Sequence, residues 1–321
     1  MARVHLPLPQ FPLVRIEAEG ERTIDTLAHG EVIALYKAHG ALLLRGFDAD
    51  LDAFARFTRT LCPTAVKNES PGRVTIDTTG TIQSVNLGGD AFPLHPELSR
   101  EPWKPDTAFF ICMQPPAQGG ETTVCDGVAL AAALPPEVQR GLSGRRLVYA
   151  MPTWPELMQF WLGTPSPNDA LLAAPPPSCP YEFRRMSDGS IARLFSRPAL
   201  HKPMFTDEPA FGNFLLFARF YNGRGDFPLL DDYTPVPEDW LQAIKARGDR
   251  LSHPVAWQTG DVVMLDNTRF MHGRRPIDDP AERHIITYFG YLACAQPDPE
   301  EVPDAPWRRR DFAPPANPRV A

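Results

Sequence analysis

Thirty-seven of the 321 residues are proline, against a usual ~5%. Proline has no N–H to give and its ring clashes with the preceding helical turn, so a chain this rich in it is not built mainly of long helices. Strands, turns and loops are favoured instead. Hydrophobic residues make up 43% and charged residues 22%, enough to bury a core without disulfide or metal staples. The length allows two domains, but large β folds run as one, and we read residues 1–321 as a single domain. The formal charge of −7 argues against the broad basic face that nucleic-acid binding needs. Cys62, Cys112, Cys125, Cys179 and Cys294 are odd in number and irregular in spacing. That predicts reduced, mostly buried thiols in a cytoplasmic protein rather than a disulfide framework. No stretch approaches the ~20 apolar residues of a membrane span. The first twenty residues, broken by Pro7, Pro9 and Pro12, read as neither a signal peptide nor an anchor.

Periodicity divides the chain further. Arg22 to His39 carries Ile24, Leu27, Ile33, Leu35 and Tyr36 at helical spacings, and Leu51 to Leu61 is a second helix candidate. Gly127 to Leu142 and Pro237 to Arg250 are two more. Ala41 to Leu44, Thr75 to Asn86, Ala108 to Met113, Thr122 to Cys125, Phe214 to Tyr221, Asp261 to Leu265 and Ile285 to Leu292 read as strands. Without a clear strand–helix alternation in the second half, an antiparallel β core is favoured over a parallel α/β sheet. Residues 151–180 hold eight prolines and read as an irregular excursion, so a lid insertion is expected around 151–205. The proline-rich tail 297–321 is expected to be loosely ordered.

Eight histidines are available for chemistry. His95 lies in Leu94-His95-Pro96-Glu97. If this stretch is extended, His95 and Glu97 face the same side, because side chains alternate with period two. An imidazole and a carboxylate on one spot make two arms of a metal site. Further on, Gly260-Asp261 launches an apolar strand, Asp266-Asn267 ends it, and His272 follows. Arg283 then enters the apolar run Ile285-Ile286. A lone guanidinium there needs an anionic partner, and arginine grips carboxylates with two parallel bonds.

Together these elements resemble the Fe(II)/2-oxoglutarate-dependent dioxygenases of the taurine dioxygenase (TauD/TfdA), clavaminate synthase-like superfamily. The shared signature is His95-Pro96-Glu97, then His272, then Arg283. Pro115-Pro116-Ala-Gln-Gly119-Gly120-Glu121-Thr122 is similar to a further family segment, and Gly40 to Phe47 to the family's opening strand. The resemblance implies a double-stranded β-helix, a cupin-like jelly roll of mainly β or α+β class, flanked by helices. It implies His95, Glu97 and His272 as catalytic iron ligands, with Thr122 and Arg283 holding 2-oxoglutarate. Fe(II), 2-oxoglutarate and O2 would be needed, and succinate and CO2 released. Two histidines and a carboxylate leave open positions on an octahedral iron. Asp266 or Asn267 is a candidate support for His272. Glu97 follows the clavaminate synthase branch, where taurine dioxygenase has Asp. Thr287 stands where taurine dioxygenase has a second substrate arginine, which makes taurine a poor candidate substrate. A carboxylate at position 97 also fills the place that related halogenases leave to chloride.

The implied activity is hydroxylation of an unactivated C–H on a small amino-acid-like or carboxylate-bearing substrate, free or carrier-tethered, of the kind met in natural-product biosynthesis. Desaturation at the same iron, a non-catalytic ligand-binding role and a metal hydrolase are the alternatives; a hydrolase has no use for Thr122 and Arg283. Arg184, Arg185, Arg193, Arg197 and Lys202 form a local cationic run that reads first as a solvated loop and second as a contact for an anionic substrate or carrier. Trp154, Phe160 and Trp161 suit either a lid face or core packing. A homo-oligomer is left open, and no nucleic-acid or membrane partner is expected.

Overall fold

The computed structural model describes residues 2–318 except 9, 21, 297, 303 and 317. Its centre is explained by the two-residue period of three apolar strands. In Thr107–Gln114, the side chains of Ala108, Phe110 and Cys112 enter one hydrophobic cluster, and Phe109 and Ile111 enter another. Val263 and Leu265 side with the first cluster, Val262 and Met264 with the second. Ile285 and Phe289 alternate in the same way with Ile286 and Tyr288. A sheet apolar on both faces must be covered on both faces.

One face is covered by the helices His29–His39 and Leu51–Leu61, which contribute Val32, Tyr36, Phe54, Phe57 and Leu61. Asp50 caps the second helix by accepting the Ala53 N–H at 2.8 Å, which satisfies one of the donors left over at a helix start. The other face meets a second, four-stranded sheet, whose Val124 and Phe270 share the first cluster.

The large sheet runs Arg3–His5, Val14–Glu17, Ala41–Arg45, Val262–Asp266, Thr107–Gln114, His284–Tyr291, Thr64–Ala65, with Ile82–Ser84 also on His284–Tyr291. The small sheet runs His253–Pro254, Thr122–Asp126, Phe270–Arg274, Phe92–His95. Within these sheets only Val14–Glu17 against Ala41–Arg45 is parallel. The outer face of the small sheet carries Leu94, Cys125 and Met271 into a third cluster, which includes residues of the helices Gly127–Ala133, Pro136–Leu142, Leu215–Phe220 and Glu238–Leu251. Two facing antiparallel sheets with helices outside are the double-stranded β-helix expected from the sequence.

Several local expectations change. Phe214 to Tyr221 is not a strand; Leu215–Phe220 is a helix. Apart from Arg219 the run is apolar, and it has no period to distinguish the two. The helix expected over 127–142 is two helices, divided where Leu134 and Pro135 leave helical geometry ahead of Pro136. Of residues 75–86, only Ile82–Ser84 forms a strand. The excursion at 151–180 contains the helices Pro155–Leu162 and Asp169–Ala173. It leads into a third sheet that joins Arg146–Pro152 to Ile191–Pro198. Cys62, Cys112, Cys125 and Cys179 are buried and all five thiols are free. In the tail, Trp307 is buried and Arg308 donates to Asp106 at 3.0 and 3.1 Å.

One buried ion pair fastens the turn that starts the central strand. Asp261 is fully buried and accepts from Arg45 Nε at 3.0 Å and Nη2 at 2.6 Å. It also accepts the Gln258 N–H at 2.8 Å. Removing the carboxylate leaves the Gln258 N–H without its acceptor and Arg45, 17% exposed, with the Ala256 carbonyl. Asp261→Ala should therefore destabilise the protein by about 1–3 kcal/mol, read as a lower urea midpoint with an unchanged slope. A midpoint within error of the native one would show that Arg45 finds water instead.

Candidate metal centre

The site is made by strand register. Phe92–His95 pairs with Phe270–Arg274 so that His95 and His272 are directly opposite, and opposed residues on one sheet face lie close together. Their ring centroids are 4.6 Å apart. Gly273 permits this pairing, since a Cβ there would sit 2.6 Å from the Phe92 carbonyl oxygen. The strand that carries His272 was not among those expected from the sequence, which placed this residue after the end of one at Asp266-Asn267. Its five residues, Phe-Met-His-Gly-Arg, are too short and too mixed to show a period.

Glu97 reaches the same spot by another route. The strand ends at His95 and Glu97 lies in the turn that follows, so period-two alternation does not aim it. Asn267 does. Its Oδ1 accepts the Glu97 N–H at 2.7 Å, and its Nδ2 donates to the Glu97 carbonyl at 3.0 Å and to the Pro105 carbonyl at 2.8 Å. Asn267 therefore supports the acidic arm rather than the distal histidine. Asp266 does not support His272 either. It accepts from the Thr268 N–H and hydroxyl, and burial pushes its carboxyl up to about 6.

His95, Glu97 and His272 offer ligand atoms that all lie within 4.8 Å of one another. His272 Nε2 is 3.6 Å from Glu97 Oε2. Nδ1 of His95 donates to the Pro93 carbonyl at 2.8 Å in the tautomer that leaves Nε2 free to bind a metal. Burial lowers the pKa of both imidazoles, and for His272 the neighbouring His95 lowers it further. Both rings are therefore neutral, the form that ligates. Two neutral imidazoles and a carboxylate, with nothing softer, suit a divalent ion such as Fe(II).

The three line a cavity of about 360 Å³, together with Thr122 and Arg283. Arg283 donates from Nε to the Gly120 carbonyl at 2.7 Å and from Nη2 to Thr122 Oγ1 at 3.1 Å. Burial, then Arg274, brings its pKa down to about 10, and it stays charged. Among the described residues, nothing accepts from its Nη1. Thr122 Oγ1 also accepts from Trp257 Nε1 at 3.2 Å. With both lone pairs engaged, the hydroxyl hydrogen is left to donate. Thr122 and Arg283 thus offer a donor set for a carboxylate. The residues expected at the site are therefore all brought to one cavity.

Sequence reasoning missed Asn68, Arg73 and the aromatic walls. Asn68 Nδ2 donates to Glu97, and Arg73 Nη2 lies 3.3 and 3.4 Å from its two oxygens. Phe110 packs edge-on to His272 at 5.0 Å, and Phe217 lies 4.5 Å from His95 between ring centroids. Residues 151–205 do not contribute to the cavity lining. Trp154, Leu157 and Arg193 instead face a neighbouring chamber that shares Asn68, Ser70, Leu98 and Arg100 with it. Within the cationic run, Arg193 is buried between Trp154 and Tyr181, while Arg185 pairs with Asp169. Trp161 is in the core and Phe160 is exposed.

The profile of the taurine catabolism dioxygenase TauD, TfdA family matches residues 7–288. No curated protein sequence matches the chain. Among solved structures, PvcB from Pseudomonas aeruginosa is similar at 15% identity and a TM-score of 0.59, over 93% of this chain and 94% of that one. PvcB is described as an Fe, alpha-ketoglutarate dependent oxygenase from an isonitrile synthetic pathway. A taurine dioxygenase from Burkholderia xenovorans is similar at 14% identity and a TM-score of 0.60, over 94% and 92%. AAD-2, solved with Mn(II) and N-oxalylglycine, is similar at 13% and 0.58, over 93% and 100%. At these identities the likeness is one of fold.

Asn267→Ala would leave the Glu97 N–H and two carbonyls without partners, at about 1–3 kcal/mol for each buried group that water does not reach. Mn(II) affinity should fall about 10- to 100-fold, measured by titration of the folded variant. An unchanged affinity would mean that Glu97 holds its position without Asn267.

Proposed function

Because the chain belongs to the TauD/TfdA family of dioxygenases, we propose that it is an iron(II)/2-oxoglutarate-dependent oxygenase acting on a small molecule. The observation that carries this reading is the joint placement of His95, Glu97, His272, Thr122 and Arg283 around one cavity. His95, Glu97 and His272 would hold the iron. Iron bound there supplies O2 activation coupled to oxidative decarboxylation of 2-oxoglutarate, which leads to oxidation of a substrate C–H.

This chain's residues do the rest. The Arg283 guanidinium and the Thr122 hydroxyl bind the distal carboxylate of 2-oxoglutarate, with Trp257 and the Gly120 carbonyl keeping both in place. Phe92, Phe110, Phe214 and Phe217 line the cavity and exclude water from it, which strengthens each charged contact inside. The finer reading is hydroxylation of an amino-acid-like or carboxylate-bearing substrate, free or carrier-tethered. It is supported by the cationic lining, where Arg73, Arg100, Arg274 and Arg283 stand against Glu97. No helix among the described residues is long and apolar enough to cross a membrane.

The test is anaerobic addition of Fe(II) and 2-oxoglutarate, which should give the weak visible charge-transfer band of their joint complex. A protein that binds neither would overturn the reading. With air admitted, a screen of amino acids and other small carboxylates for stimulated succinate release would identify the substrate class. His95→Ala and His272→Ala should each abolish turnover while the protein stays folded by circular dichroism. Full turnover by either would remove that residue from the ligand set. Arg283→Ala breaks a charge-assisted pair worth about 2–5 kcal/mol, so the 2-oxoglutarate requirement should rise about 30-fold or more. Thr122→Val should shift it less. If 2-oxoglutarate affinity stays within a factor of two in Arg283→Ala, the anchor is elsewhere.

A further inference from the structure

Among the arginines that line the cavity, Arg73 is the one paired with the candidate metal ligand Glu97. Its side chain is 7% exposed. Nη1 donates to Thr287 Oγ1 at 3.2 Å and to the Ser84 carbonyl at 3.4 Å, and Cζ lies 5.1 Å from the centre of the Phe289 ring. Nε is buried with no acceptor among the described residues. Its carboxylate partner is Glu97, at 3.3 Å. The other cationic groups of the lining are engaged differently. Arg274 spends Nε, Nη1 and Nη2 on the carbonyls of Asp90 and Asn86. Arg100 is about one-third exposed and lies near Glu101. Arg283 serves Thr122 and Gly120.

The ion pair of Arg73 with Glu97 uses the same carboxylate that the metal requires. A metal on Glu97 takes up that charge and leaves a buried guanidinium beside a dication, which is costly unless an anion answers it. The dication, Arg73 and Arg283 stand against Glu97 and the 2-oxoglutarate dianion, which leaves positive charge in excess even before Arg100 and Arg274 of the same lining are added.

We propose that Arg73 is the receptor for an anionic group on the substrate, and that its exchange of partner, from Glu97 to that anion, couples metal binding to substrate binding. The inference rests on the oxygenase reading and goes beyond it by naming the residue that selects an anionic substrate. Coupling of this kind is reciprocal: an anion that draws Arg73 away from Glu97 tightens the metal, and the metal tightens the anion.

The test titrates Mn(II) into the full-length protein, following the electron paramagnetic resonance signal of free Mn(II), with and without acetate as the monoanion probe. Arg73→Gln should bind Mn(II) alone at least about tenfold tighter than native, because a unit positive charge no longer repels the ion and competes for Glu97. Arg73→Lys keeps the charge and should stay near native. Acetate should tighten Mn(II) binding to the native protein and leave Arg73→Gln unchanged. Equal or weaker Mn(II) binding by Arg73→Gln would overturn the proposal. So would an acetate effect that is the same in both proteins, or absent from the native one. If Arg73→Gln does not fold, the acetate response of native protein and its retention in Arg73→Lys decide. Native protein that binds no Mn(II) at all would overturn the oxygenase reading and this inference with it. Native binding with indifferent variants would overturn this inference alone.

Discussion

The candidate site depends on one antiparallel pairing, that of Phe92–His95 with Phe270–Arg274. It sets two imidazoles opposite each other on the inner face of the small sheet. A slip by one residue would turn His272 to the outer face, where Met271 now packs among the helices. The pairing is backed from one side, since Phe92–His95 is the edge strand of the small sheet. Thr122–Asp126 holds the far edge of Phe270–Arg274, and Asp126 accepts from Arg269 just before that strand begins. The acidic arm is then added from outside the sheet, through the three hydrogen bonds of Asn267. Sheet geometry thus supplies two of the three arms, and a side-chain amide supplies the third.

What could be read in the sequence follows the same division. The central strands are continuous apolar runs bounded by turn residues, so Ala108 to Met113, Asp261 to Leu265 and Ile285 to Leu292 declared themselves to within a residue or two. The helix Leu51–Leu61 did so as well, with alternating faces and an Asp before its first turn. Short segments did not. Phe270–Arg274 has a glycine, a histidine and an arginine in five positions. Its strand character comes from neighbours on both sides, which no local pattern reports. Leu215–Phe220 had the opposite difficulty: every position but Arg219 is apolar, so periodicity has little to separate.

The residues around Glu97 show a third kind of illegibility. Asn68 and Arg73 belong to a segment punctuated by Ser70, Pro71 and Gly72 that has no regular structure. Nothing in its composition says that two of its side chains converge on a carboxylate 29 and 24 residues downstream. The motif positions were readable because chemistry restricts them to a few residue types at fixed order. The groups that hold and balance them are chosen by three-dimensional proximity. Thr287 illustrates this: the strand position carries a hydroxyl, and the guanidinium beside it comes from Arg73, on a distant loop.

The strand order also governs when the molecule can form. Val262–Asp266 lies between Ala41–Arg45 and Thr107–Gln114, and Phe270–Arg274 lies between Thr122–Asp126 and Phe92–His95. The middle strand of each sheet is therefore made late, after the strands it joins have left the ribosome. Until it arrives, those earlier strands present open edges that can pair with other chains, and the contacts that close them span long loops, which slows folding. Residues 262–274 carry an inner strand of each sheet, and His284–Tyr291 then completes the large one. A nascent chain that ends before residue 262 has most of its apolar residues and neither of the two facing sheets complete. Such a chain would depend on chaperones during synthesis more than its finished stability suggests.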